Sequence, residues 1–242
     1  LEAQQALYGA QYGAGEEQND AMVALTDEGQ QRDVETLLSS IRTLSPAHVS
    51  LFPMPVNPMM GERVSKGTRR LLYSQIAGGL KEQGYRQYSL YHFAREGYGC
   101  AYHTLHFGGT DRLGLGLGAT SYLDGLSCSN TADIRLYLSA SGDLKELRAG
   151  VMELGEEERM KNFTALGLHR VEGFTGTEFE ARFGRPLPPF LAETLAALEE
   201  QGLVEGTEGR YTMTIDGVID AEEVFAALFP EQELEAEEKE KE

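Results

Sequence analysis

Apolar positions recur at helical spacing in some stretches of the chain and alternate or cluster in others, and this rhythm predicts most of its elements. Val34, Leu37, Leu38 and Ile41 return every three or four residues, which predicts a helix over 31–43. The block HVSLFPMPV at 48–56, closed by Pro53 and Pro55, predicts a buried strand. Leu71, Leu72, Gln75, Ile76 and Leu80 share the face of a second helix over 66–83, with Gly84 as its stop. Residues 85–94 alternate, with Tyr88, Leu90, His92 and Ala94 on one side, and read as a single strand. The run LGLGLGATSY at 113–122 reads as a glycine-laden strand or turn whose backbone passes close to a neighbour. A short helix is expected within 130–138, with Gly142 closing the segment.

Near 145–155 the rhythm changes. Helices are predicted over 156–168 (Met160, Phe163, Leu166 and Gly167 inward), over 177–183 with Thr175 or Thr177 as N-cap, and over 189–201, closed by Gly202. A hairpin pairs Leu203-Val204 with 210–214 across a Glu-Gly-Thr-Glu-Gly turn, and a last helix covers 220–229. Three helices followed by a two-stranded wing are the pattern of a winged-helix-like module. Residues 1–30, rich in Gln, Ala, Gly and Glu, have no sustained period and read as weakly ordered; 231–242 is a solvated charge run. The expected organisation is therefore 1–30 weakly ordered, 31–150 α/β, 151–230 helical and winged, and 231–242 an acidic tail.

Composition narrows the function classes. With 41% hydrophobic residues in 242, the chain can form one large domain or a medium and a small one. No run reaches membrane-spanning length and the N-terminus lacks a basic-then-apolar secretion signal, so a soluble cytoplasmic protein is expected. Two cysteines, Cys100 and Cys128, do not imply a disulfide framework. The net charge of −18 is uneven: residues 46–150 carry 11 basic against 8 acidic side chains, whereas 151–230 carry 6 against 16. That acidity argues against nucleic acid, including a DNA-binding role for the winged region, because neutralising phosphates dominates such affinity. The basic middle suits a small anionic ligand.

The run GYRQYSLYHFARE, followed by GYGCAYHTLHFGGTDRLGLGLGATSYLDG, resembles the HemN/HemW family of anaerobic coproporphyrinogen-III-oxidase-like radical SAM proteins. That family has a strand ending in Phe-Ala-Arg-Pro-Gly, a Cys-x-His-Asn-x-x-Tyr-Trp stretch and a Gly-x-Gly-Ala-x-Ser turn. SPAHVSLFPMPVNP upstream, and EERMKNFTALGLHRVEGF and LEEQGLVEGTEGRYTMT downstream, continue the resemblance over roughly 33–230. It implies an α/β fold holding the later strands of a radical SAM barrel, followed by a C-terminal winged-helix-like domain. In the parent family it implies S-adenosyl-L-methionine and a 4Fe–4S cluster as cofactors and a tetrapyrrole, haem or a porphyrinogen, as the ligand.

Departures from the family pattern carry information too. A cubane cluster needs three cysteine thiolates, and Cys100 and Cys128 stand 28 residues apart with no Cys-x-x-x-Cys-x-x-Cys motif. SAM cleavage by this chain alone is therefore not expected, and a barrel reduced to its later strands would leave an open sheet edge. Tyr102-His103 stands where the family has His-Asn, and His106-Phe107 where it has Tyr-Trp. Those changes fit the HutW/ChuW haem-utilisation branch better than coproporphyrinogen oxidation.

On that resemblance, His103 or His106 ligates haem iron while Phe107 or Tyr102 stacks on the macrocycle; the alternative is a pair of hydrogen-bonded histidines at a barrel mouth. The pair alone lacks a carboxylate or cysteine to complete a metal site. Arg95, Arg112 and Arg86 are candidates to grip propionates with a planar fork, or else surface arginines. Gly114, Gly116 and Gly118 resemble the family turn near SAM, where glycine lets the backbone approach an adenosyl group. Two readings follow: part of a radical SAM protein of porphyrin or haem metabolism, or a haem-binding, haem-transfer protein without catalysis.

Overall fold

The computed structural model of the chain describes residues 20–24, 30–53, 64–140, 145 and 147–230. The expectations for the acidic tail and for Gly142 lie outside the described residues. Strand β1 (Asp20–Ala24) pairs in parallel with β2 (His48–Phe52). The first strand falls within the stretch 1–30 expected to be weakly ordered, of which 1–19 and 25–29 lie outside the described residues. A strand of five residues is too short to show a period in the sequence.

Helices α1 (Gln30–Leu44) and α2 (Lys66–Glu82) cover one face of this sheet, close to the predicted bounds. Val49 and Leu51 of β2, both 0% exposed, point into that face against Leu72, Ile76 and Leu80. The helices cross closely because Gly79 has no side chain: a Cβ there would lie 2.3 Å from Leu38 Cδ1. Gly84, at φ +88°, then ends the turn after α2.

The single strand expected over 85–94 is a hairpin, β3 (Arg86–Ser89) and β4 (His92–Ala94), in a sheet ordered β1-β2-β4-β3. Leu90 leaves the ladder because its backbone has other partners. Its N–H donates to the His169 carbonyl, and its own carbonyl accepts from Tyr73 Oη at 2.7 Å and Gln87 Nε2 at 2.9 Å.

Helix α3 (Ala101–Phe107) follows, then the glycine-rich loop and a second sheet of β5 (Thr120–Leu123), β6 (Leu126–Asn130) and β7 (Arg148–Glu153). Asp124 and Gly125, at φ 48° and 82°, turn β5 into β6 with the two positive φ values that a tight hairpin of matching twist requires. The helix expected within 130–138 is α4 (Ile134–Ser139), capped by Asp133, whose carboxylate accepts from the Arg135 and Leu136 N–H groups.

The C-terminal part is α5 (Glu156–Leu168), β8 (Phe174–Thr175), α6 (Gly176–Phe183), α7 (Pro189–Glu200), β9 (Val204–Thr207), β10 (Arg210–Met213), α8 (Ile215–Ile219) and α9 (Ala221–Leu228). Thr175 caps α6 reciprocally with Glu178. Burial pushes the Glu178 carboxyl up, but hydrogen bonds from Arg170 and Thr175 hold it below the usual carboxylate range. The wing has a third strand, β8, beside the predicted hairpin, in the order β8-β10-β9. The fold is thus α/β with short sheets, and no barrel closes among the described residues.

The last helix expected over 220–229 is α9, and a short helix not foreseen, α8, ends just before it at Asp220, at φ −114° and ψ 39°, a break that has a cause. The Asp220 carboxylate accepts from Arg69 of α2 at 3.0 Å and pairs with Lys66, while Arg69 also donates to the Ile219 carbonyl. Arg70 reaches Asp216 at 2.9 Å. This clasp, with Arg69 and Asp220 both buried, fastens α2 to α8 and α9. Val218 and Ile219 accordingly join the first core, while Met160, Leu168, Phe174, Phe179, Leu195 and Val224 belong to a second. Met213 and Phe225 touch both.

Candidate functional site

Alternation along β2 separates two chemistries. Val49 and Leu51 face the helices, so His48 and Ser50 face the opposite side, where Ser50 pairs with His92 of β4 across the ladder. Helix α3 closes over this polar face. His48, at 2% exposure, and His92, at 8%, are buried, and His103 of α3 is half-buried above them. Their rings pile together: His92 and His103 stack at 4.1 Å and 21°, and His48 lies 5.5 Å from His92. One nitrogen of each ring falls within 4.8 Å of the other two.

Tyr88 of β3 ties the layer together. Its hydroxyl lies 2.7 Å from His48 Nε2 and 3.2 Å from His103 Nδ1, and accepts from the Cys100 N–H at 3.3 Å. With one proton, that hydroxyl donates to one imidazole and accepts from the other. Ser50 Oγ, 2.9 Å from His92 Nδ1, fixes the third ring.

The column continues beyond the three. Phe107 packs 6.4 Å from His92 and stacks on His169 at 4.9 Å and 11°, and His169 in turn stacks on Phe225 of α9 at 4.4 Å. His106 adjoins Phe107 at 5.3 Å, so all five histidines of the chain share one aromatic network. Burial pushes the His169 imidazole below its ordinary range, against the opposing bond from its Nδ1–H to the Ala165 carbonyl.

On the other side of α3 a cavity of about 450 Å³ opens between the second sheet and helices α5 and α6. Four cationic residues line it, Arg112, Arg159, Lys161 and Arg182, with Phe163 and Phe183 giving it an apolar wall. A Cβ on Gly125 would stand in ordinary contact with the Arg159 side chain, 3.5 Å away, so it is the φ of 82° that asks for glycine at this turn. His106 reaches this cavity. Burial pushes its imidazole down to about 4, helped by Arg112 and by His169 and His103 nearby, so the ring is neutral near pH 7. Arg112 donates to His106 Nδ1 at 3.3 Å and lies 5.6 Å above the Tyr122 ring.

The residues singled out in the sequence therefore separate. His106 and Arg112 meet at the cavity; His103 belongs to the buried layer. Tyr102, 58% exposed, stacks on His106 at 5.7 Å, whereas the face of Phe107 is occupied by His169. Arg95 lies over the Tyr85 ring at 4.8 Å and donates to Ser45 and Pro46, and Arg86 stands exposed on β3. Neither lines the cavity.

The glycine loop is held by its own neighbours. A Cβ on Gly114 would sit 2.7 Å from the Thr120 backbone, and Gly116 and Gly118 have φ of 107° and 67°. The Gly114 N–H goes to Ser121 Oγ, the Gly118 N–H to Thr131, and Asn130 Nδ2 grips the Gly114 and Gly116 carbonyls. Cys100 precedes α3 and Cys128 lies within β6, so these residues do not supply the three thiolates of a 4Fe–4S cluster.

Sequence reasoning missed His48, His92, Tyr88 and Ser50 in the layer, and Arg159, Lys161 and Arg182 at the cavity. The available signal for the first group was the polar alternation of His48 and Ser50 within an otherwise apolar strand.

Known proteins align with this architecture. Residues 154–219 match the HemN C-terminal domain. The heme chaperone HemW of Bacillus subtilis (strain 168) is 23% identical over 210 residues, covering 83% of this chain and 55% of the relative. HemW of Lactococcus lactis subsp. lactis (strain IL1403) is 25% identical over 207 residues, covering 81% and 53%. Among solved structures, Escherichia coli coproporphyrinogen III oxidase (HemN), described as a radical SAM enzyme, superposes with a TM-score of 0.65 at 18% identity over 86% of this chain and 54% of its own. The chain spans about half the length of the relatives it matches. No described helix is long and apolar enough to cross a membrane.

Proposed function

We propose, for a chain of the HemN/HemW family that carries a HemN C-terminal domain at residues 154–219, that it binds a tetrapyrrole, with haem the favoured ligand. The observation carrying this reading is the cavity beside α3: a neutral histidine and four cations around one opening, with aromatic walls. Its volume of about 450 Å³ lies within the roughly 300–1,000 Å³ of small-molecule sites. A tetrapyrrole that carries carboxylates asks for those parts: apolar surface for the ring edge, guanidinium forks for the carboxylates and an imidazole lone pair for iron.

Arg112 couples the last two. While it donates to His106 Nδ1, that nitrogen is occupied. A propionate that draws Arg112 away leaves the imidazole free to meet the metal, so carboxylate and iron recognition reinforce each other. Arg159 and Arg182 serve further carboxylates, and Tyr102 braces His106 from the outer side.

Haem handling is preferred to coproporphyrinogen oxidation because both curated relatives that the chain matches are heme chaperones, and no catalytic step is assigned to these residues. In a HemN/HemW protein the radical chemistry is supplied by cluster-bound SAM; this chain's part would be to hold and orient the tetrapyrrole. The cytoplasm is the expected compartment.

The test is a haem titration followed at the Soret band. Equimolar binding is expected, weakened at least tenfold in His106→Ala and in the Arg112→Ala, Arg182→Ala double variant. A folded sample without a Soret shift, or binding that His106→Ala leaves unchanged, overturns the assignment.

A further inference from the structure

We propose that His48, His92 and His103 form a binding site for one divalent transition-metal ion, separate from the tetrapyrrole cavity. Three observations carry it. First, the nitrogens converge: one from each ring lies within 4.8 Å of the other two, and the rings come from β2, β4 and α3. A tetrahedral ion bound by imidazoles at about 2.0–2.1 Å places its ligand nitrogens roughly 3.3 Å apart. Closing that gap asks for side-chain rotations, with no rearrangement of the strands.

Second, the outer ring of contacts is of the kind that metal-binding histidines make. Ser50 Oγ holds His92 at Nδ1, 2.9 Å away, and the Tyr88 hydroxyl stands 2.7 Å from His48 and 3.2 Å from His103. Such partners orient the ring and set its tautomer, and losing one typically costs about 10–100-fold in metal affinity. The Tyr88 hydroxyl is itself placed by the Cys100 N–H, which fixes the approach of α3.

Third, the placement is unlike filler. The neighbouring residues of β2, Val49 and Leu51, are apolar and fully buried, while on this face a buried sheet surface is given over to His48, Ser50 and His92. Two of the three histidines are buried and the third, on α3, is half-buried, giving an ion an entry side. Imidazole ligands suit zinc, copper, nickel and iron, and three neutral donors leave a tetrahedral ion one further position for water or a small anion.

The ion sought is therefore Zn²⁺ or its spectroscopic substitute Co²⁺. Metal-free protein would be titrated with each, Co²⁺ by its visible absorption and Zn²⁺ by calorimetry. One equivalent should bind, with the intense bands of a four-coordinate, nitrogen-ligated Co²⁺. His103→Ala should weaken binding at least 100-fold, and His92→Asn should do the same. His103 is half-buried on a short helix, so its variant keeps the test valid if His92→Asn fails to fold; circular dichroism checks both.

His106→Ala should leave metal binding intact while weakening haem, which keeps failure of the tetrapyrrole reading distinct from failure of this one. Absence of saturable one-equivalent binding by folded wild-type protein overturns the site. So does binding that folded His103→Ala retains in full.

Discussion

His103 and His106 are one helical turn apart on α3, offset by roughly 60° around its axis, yet they live in different chemistry. His103 faces a layer assembled from three strands, where every ring has a short polar contact and the rings touch one another. His106 faces a cavity whose walls come from a second sheet and the C-terminal helices, and its nearest polar partner is a cation. The first environment gathers imidazole nitrogens around a point. The second keeps one imidazole neutral beside an array of positive charge. What separates them is Phe107, which fills the space between the two regions and stacks on His169. A short helix has given two histidines of similar sequence context two different tasks.

Removing that divider should have the largest effect. Phe107→Ala deletes a ring packed between His92 and His169, and should cost on the order of 3 kcal/mol in denaturant unfolding. It should also weaken Zn²⁺ and haem binding together, erasing the contrast. Retention of both affinities would mean that Phe107 does not hold the two regions apart.

Tyr88→Phe is narrower. It leaves His48, His103 and the Cys100 N–H without the hydroxyl they share and should cost about 1–3 kcal/mol of stability while leaving haem binding unchanged. A loss of haem affinity in this variant would show that the layer and the cavity are coupled through α3.

The smallest effect is expected from pH, and it sharpens the cavity side. His106 in the folded chain takes a proton only near pH 4, whereas an unfolded histidine takes one near 6.5. Between those values the unfolded chain binds the extra proton, so stability should fall as pH drops from about 6.5 toward 4, level off below, and be unaffected above. Since the ring keeps partial contact with solvent, its share is on the order of 1–2 kcal/mol. The groups facing it are Arg112, His169 and His103, and His169 adds a fall of the same sign. Denaturant curves at pH 7 and 5 should converge in His106→Gln, to the extent that His106 carries the effect.

How much of this could be read from the chain depended on the range of the interactions. Helices α1, α2, α5 and α7 were legible because their apolar stripes are local, and Thr175 and Gly84 marked ends through chemistry within a few residues. Strand β1 was not legible, nor was the break at Leu90, whose carbonyl is taken by Tyr73 seventeen residues away. Strand β7 hid for a different reason: it is exposed along its whole length, so it has no buried face to alternate. The Asp124-Gly125 turn was a local signal that the sequence reading passed over.

The site divided in the same way. His103 and His106 stood out in the sequence as a pair and Arg112 as one of three candidate arginines, and the structure brings His106 and Arg112 together at the cavity. The partners of His103 lie 55 and 11 residues upstream, at His48 and His92, and only the pairing of β2 with β4 brings those two together. No local pattern encodes that pairing.

The clasp of Arg69 and Lys66 on Asp220 bears on how such chains can be recombined. Residues 154–219 match a domain that recurs in other proteins, so a designer would cut near residue 154 and graft the remainder as a cassette. Asp220 lies just past that match, and its partners are on α2, long before the cut. A cassette that carries Asp220 to a foreign α2 strands a buried carboxylate without its arginine, and a parent cut back to 219 strands the buried Arg69 without its carboxylate, an error that typically costs about 3–5 kcal/mol. The transplantable unit therefore includes the face of α2 that grips it, and chimeras should fold or fail according to whether position 69 and position 220 come from the same parent.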